Sequence, residues 1–195
     1  MPSASQLDLS NNFIGGHYED DGYDSDTGDY VQKFVADPEG VQAIACALRV
    51  NGALTVTNLL HNQLDEASAK MLAEVAKQKG ISLCGIQRDQ TTADLSGHAL
   101  QPPDAILLAS DLSQAVVTGG LTSLDLSINQ LCSLDYHHRG TYTAVGITAI
   151  ADALRVNGGL TALDLSFNDL NDDGVSTVCD AIQSNKETKL ASLNF

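Results

Sequence analysis

Two short stretches hold the side chains most able to do chemistry. In "DSDTGD", Asp24, Asp26 and Asp29 offer carboxylates near the alternating positions that a calcium ion takes from a binding loop. The stretch departs from such a loop in three ways: Gly28 comes one place early, no Glu stands at the twelfth position, and no helical pattern flanks it. The plainer reading is a solvated acidic loop, since Gly15 to Glu39 holds eight carboxylates against one lysine. Such a loop attracts basic partners without any metal. Calcium is thus the one cofactor the sequence suggests, and otherwise none is expected.

The second stretch is "CSLDYHHRGTYTAV", residues 132–145, which carries His137, His138 and Arg139. Histidines serve as bases or metal ligands, and an arginine can stabilise a transferring phosphoryl group. No His, however, stands in an identifiable arrangement with Ser, Cys or Asp, and neither a phosphate-cradling glycine loop nor an HExxH or GxSxG motif occurs. The expectation is a loop that makes contacts, not a catalytic centre.

Composition narrows the partners. The 195 residues carry a net charge of -15, which opposes binding to DNA or RNA and favours a basic protein surface. Hydrophobic residues make up 43% of the chain but aromatics only 5%, with no Trp, so the core must come from Leu, Ile, Val and Ala. No apolar run approaches the ~20 residues of a membrane span, and "MPSASQLDLS" lacks the pattern of a signal peptide. Cys46, Cys84, Cys132 and Cys179 lie far apart, three of them in apolar periodic segments, which predicts buried reduced thiols. A cytoplasmic location fits these features.

The elements that would position these residues repeat. "LTALDLSFNDL" from Leu160 is nearly rewritten as "LTSLDLSINQL" from Leu121 and echoed as "LTVTNLLHNQL" from Leu54. Further units open near Ala4, Ile81 and Gln90, and another starts at Leu190. A longer echo joins "GVQAIACALRVNGALT" from Gly40 to "GITAIADALRVNGGLT" from Gly146, alike at about 12 of 16 positions. Within a unit, "LDL" alternates like a strand, and the later segments "GVQAIACALRVNG" and "GVSTVCDAIQSN" have helical spacing. Pro38 and Gly40 mark a helix start, and Gly52 and Gly158 are expected to close helices in a left-handed conformation. Asn12, Asn62, Asn129 and Asn168 recur where each strand bends away, placed to satisfy backbone groups of the turn and the adjoining coil.

On this strand motif, the helix that follows and the ~27–31-residue unit, the chain resembles leucine-rich repeats of the ribonuclease-inhibitor-like subclass, as in NOD-like receptor arrays and the Ran GTPase activator. The resemblance implies an α/β fold, a curved horseshoe solenoid with parallel strands on the concave face and helices on the convex face, forming a single domain over 1–195. It also implies a protein partner. The GTPase-activating branch makes Arg49, Arg88, Arg139 and Arg155 candidate fingers, with Arg139 the best placed, and a calcium-responsive scaffold or adhesion module is a third reading.

Three irregularities interrupt the array: insertions at 15–39 and 132–145, and a unit at Ile81 too short for a crossover helix, expected instead as a strand that reverses. Both ends stop within strand patterns, so further repeats or another chain are expected to cover them. Register places Asp8, Asn58, Asp94, Asp125 and Asp164 in one outward column. It makes Ile128 and Phe167 exposed neighbours in another, a hydrophobic anchor for a partner. The bland alternative is that "LDLS" is simply what this repeat prefers on its strand.

Overall fold

The computed structural model describes residues 5–23, 30–134 and 137–195, with the backbone alone at 30–32. Short strands alternate with helices: β1 (Gln6–Asp8), β2 (Gly16–Tyr23), β3 (Tyr30–Ala36), α1 (Glu39–Val50), β4 (Val56–Asn58), α2 (Glu66–Lys79) and β5 (Thr92–Asp94) come first. There follow α3 (Pro102–Leu112), α4 (Ala115–Thr118), β6 (Ser123–Asp125), α5 (Val145–Leu154), β7 (Ala162–Asp164), α6 (Asn171–Ser184) and β8 (Ser192–Asn194). β1 and β4 form one parallel pair, and β5, β6, β7 and β8 form a parallel sheet in chain order. Successive helices pack on one another in the order α1, α2, α3, α5, α6. β6 and β7 turn their middle residues, Leu124 and Leu163, inward, β5 does so with the smaller Ala93, and the helices return Val41, Leu72, Leu107, Ile150 and Val178 to the same core. That core is aliphatic throughout, as the composition requires.

Three of the four recurring asparagines bond between units, whereas the Asn12 side chain donates to Ser10 O in its own turn. Asn129 donates from Nδ2 to Leu95 O at 2.8 Å and Leu126 O at 2.9 Å, and its Oδ1 accepts from Leu100 N at 3.0 Å. Asn62 and Asn168 repeat the pattern on their neighbours. Buried polar groups that would otherwise cost about 1–3 kcal/mol each are thereby satisfied.

A second asparagine series closes the helices, where the sequence pointed to glycine. Gly52 and Gly158 do not take the left-handed conformation. Asn51 caps α1 and accepts from Ala53 N and Leu54 N, while Asn157 accepts from Gly159 N and Leu160 N. Asn157 also donates to Leu112 O, and Asn185 donates to Leu154 O, so these side chains tie one helix end to the next. A side-chain amide does here what a left-handed backbone does at Gly80, which ends α2 at φ 66°.

Two further expectations change. The acidic insertion is not a plain loop: β2 and β3 pair antiparallel, with Tyr18 opposite Phe34 and Glu19 opposite Lys33. The cysteines divide, Cys84 and Cys132 being buried while Cys46 and Cys179 lie exposed on helices. The short unit at Ile81 has no helix, and its reversal takes the form of two isolated bridges, Val56 to Ser82 parallel and Asn58 to Cys84 antiparallel.

Candidate functional site

The strand column forms in the expected register: Asp8 beside Asn58, and Asp94, Asp125, Asp164 and Asn194 side by side. Its carboxylates are employed locally. Asp8, Asp94 and Asp164 each accept from the backbone N–H and hydroxyl of the Ser two residues on, and Asp125 accepts from Ser127 N at 2.9 Å. The Asp-x-Ser pattern therefore ends each strand by a side-chain turn. Bonds from the Ser10 and Ser96 hydroxyls hold the Asp8 and Asp94 carboxyls below the usual range. At Asp164 the Asn194 amide does most, with Ser166 assisting. The column is anionic and ordered.

Three residues past each column position the chain turns left-handed. Asn11, His61, Gly97, Ile128 and Phe167 occupy this row with φ between 57° and 65°. Asn and Gly suit such a backbone, whereas a β-branched Ile or a bulky Phe is strained there. Ile128 is 58% exposed and Phe167 79%. With Gly97, Ala99, His138 and Asp169 they border a groove of about 470 Å³. The second insertion reaches this groove through His138, whose Nδ1 lies 2.8 Å from a carboxylate oxygen of Asp169. His137 and Arg139 are exposed beside it. Tyr142 anchors the far end of the insertion by donating to Leu170 O at 3.1 Å. Asp24, Asp26 and Asp29 lie outside the described residues, and no cluster of three or more metal-ligating side chains occurs among the described ones.

Residues 160–179, which run from just before β7 into α6, match the family model described as Leucine Rich repeat. The chain carries a leucine-rich repeat. No curated protein matches the chain. Within the matched repeat, Leu160, Leu163, Leu165, Leu170 and Val178 are buried, while Asp164 and Phe167 face outward. The repeat motif thus accounts for the inward residues, and Phe167 is what it leaves over. No helix among the described residues is long and apolar enough to cross a membrane.

Sequence reasoning missed the aromatic distribution. The nine aromatics are Phe13, Tyr18, Tyr23, Tyr30, Phe34, Tyr136, Tyr142, Phe167 and Phe195, and none of those whose side chains are described belongs to the buried core. Apart from the last residue, all lie in the two insertions or in the turns that leave β1 and β7. This was visible as position in sequence, had aromatics been mapped onto the repeat boundaries. Nor does any motif mark Asp111, whose buried carboxylate on α3 bonds Ser82 of the interrupted unit.

Proposed function

We propose that the chain is a leucine-rich-repeat solenoid of the ribonuclease-inhibitor-like subclass, curved as a horseshoe, which binds a protein partner in the cytoplasm and acts by binding, not by catalysis. The partner presents a basic surface to the Asp94, Asp125 and Asp164 column and apolar groups to the Ile128 and Phe167 groove. One observation carries this reading: two large apolar side chains stand exposed on left-handed backbone, a position that favours Asn or Gly for stability, beside an ordered row of carboxylates. Strain kept at an exposed site is typical of surfaces that serve a ligand, and an apolar anchor rimmed by charge is the usual anatomy of a binding hot spot. A pre-ordered repeat surface also loses little entropy on association.

The test is affinity capture from native lysate with the whole chain as bait, beside Ile128→Asn/Phe167→Asn and Asp94→Asn/Asp125→Asn/Asp164→Asn. The expected result is a protein retained by the parent chain and lost from both variants, with retention falling as salt rises. A partner set that is the same for all three baits would overturn the proposal.

A further inference from the structure

A second cleft, of about 530 Å³, lies between the β2–β3 hairpin and the second insertion, with Phe13, Tyr18, Phe34, His61 and Glu66 on its walls. We propose that it receives a cationic side chain, arginine or lysine, projecting from the protein partner; this names the chemistry of a contact and rests on the binding reading above. Three of the chain's nine aromatics meet in this one cleft, although no aromatic among the described side chains belongs to the buried core. The Tyr18 and Phe34 rings pack edge to face with centroids 5.5 Å apart, across the hairpin pair that register sets opposite. Alternation along β2 puts Asp20 on the same ribbon face as Tyr18, and Glu66, which also pairs with Lys70, lines the cleft from α2. Aromatic faces and carboxylates attract a cation together, and in a chain of charge -15 they repel an anionic ligand.

The hairpin is seated as a fixed wall. Gly16 leaves the space that the Phe34 ring occupies, since a Cβ there would lie 2.3 Å from Phe34 Cζ. Gly15, at φ 104°, lets the strand approach the Gln63 carbonyl, which a Cβ would meet at 2.7 Å. Asn62 Oδ1 accepts from Ile14 N at 3.1 Å, and Asp37 N donates to Gly15 O at 2.8 Å, so both strands are held at their base. A surface built only to be solvated needs neither glycine.

The experiment is an NMR titration of the full chain with acetyl-Gly-Arg-Gly-amide, against the neutral isostere acetyl-Gly-citrulline-Gly-amide. Saturable shifts of the Phe13, Tyr18 and Phe34 ring protons are expected with the arginine peptide, with binding about tenfold weaker for citrulline. Phe34→Leu should weaken arginine binding about tenfold. Phe13→Ser, which leaves the hairpin untouched, should weaken it about threefold. Equal response to the two peptides, or arginine shifts confined to the Asp94–Asp164 column, would overturn the assignment. Failure here with loss of capture by Ile128→Asn/Phe167→Asn would leave the binding reading standing; failure of capture alone would leave the cation cleft standing.

Discussion

The β5–β8 ladder and the interrupted segment at Ile81 solve the same problem by different means. In the ladder, each strand's exit is satisfied from within the repeat: Asn129 and Asn168 bridge neighbouring units with neutral amides. At Ile81 no regular strand forms: Ser82 N and Gly85 N donate to backbone carbonyls of Thr55 and Thr57, while the buried N–H groups of Leu83 and Cys84 are met from the helix layer. The Asp111 carboxylate, fully buried on α3, accepts from the Ser82 hydroxyl at 2.7 Å, from Leu83 N at 2.8 Å and from Cys84 N at 3.1 Å. Burial outweighs these bonds and pushes its pKa up to about 7. A regular repeat can use a neutral side chain because its geometry recurs. An irregular one gathers three donors around one acceptor and keeps a titratable group in the core.

The comparison is broken most severely by Asp111→Ala. Three donors would lose their acceptor at about 1–3 kcal/mol each, so a loss on the order of 5 kcal/mol is expected in denaturant unfolding. A change under ~1 kcal/mol, within the range of an ordinary surface substitution, would show that the segment finds other partners.

The next effect is read over pH. Asp111 has a folded value near 7 against an ordinary 3.8. A raised carboxyl contributes stability that is full below 3.8 and is lost as pH rises through 7, worth at most roughly 4 kcal/mol. Asp8, Asp94 and Asp164 act in the opposite sense: held low, they contribute stability above 3.8 that is lost as pH falls. Asp111→Asn should therefore remove Asp111's share of the decline between pH 4 and 7, leaving that of Asp104, whose carboxyl burial also raises, and leave the acid limb unchanged. An unaltered pH profile would place the titrating group elsewhere.

Asn168→Ala comes third, at about 2–3 kcal/mol, because it leaves the Leu165 carbonyl and the buried Leu131 N–H without their partner and takes one of two donors from Leu126 O, which keeps Asn129. Asn12→Ala, in the exposed first turn, should cost well under half of that, and equal losses at the two sites would contradict the ladder account.

How much of this was legible follows from which interactions are periodic. The strand motif, the helices and the Asp column recur at a fixed spacing, so Asp94, Asp125 and Asp164 could be set in register from letters alone. Asp111 and Ser82 meet across 29 residues in a unit without a sequence template, and nothing local marks the pair. The hairpin was hidden for a related reason. Its carboxylates suggested solvent, while the Tyr18–Phe34 pairing that holds its faces together shows only once the strands are paired. The helix-closing asparagines lay in plain view in "VNG", and the adjacent glycine drew attention because glycine so often fills that role.

The smallest effect tests whether the apolar row is kept for use. Ile128 and Gly97 occupy equivalent places, at φ 57° and 65°, yet only glycine adopts that backbone without strain. Replacing Ile128 by Gly relieves about 1 kcal/mol of local strain and removes a side chain that is mostly in water, while glycine's freedom in the unfolded chain takes part of the gain back. Ile128→Asn keeps a side chain, tolerates the left-handed region and should raise stability by about 0.5–1 kcal/mol in the same unfolding assay. If binding to the captured partner falls as stability rises, the residue is retained at a thermodynamic loss because the partner needs it. If stability falls instead, Ile128 is held by packing within the groove, and the distinction between the repeat's structural row and its binding row disappears at this position.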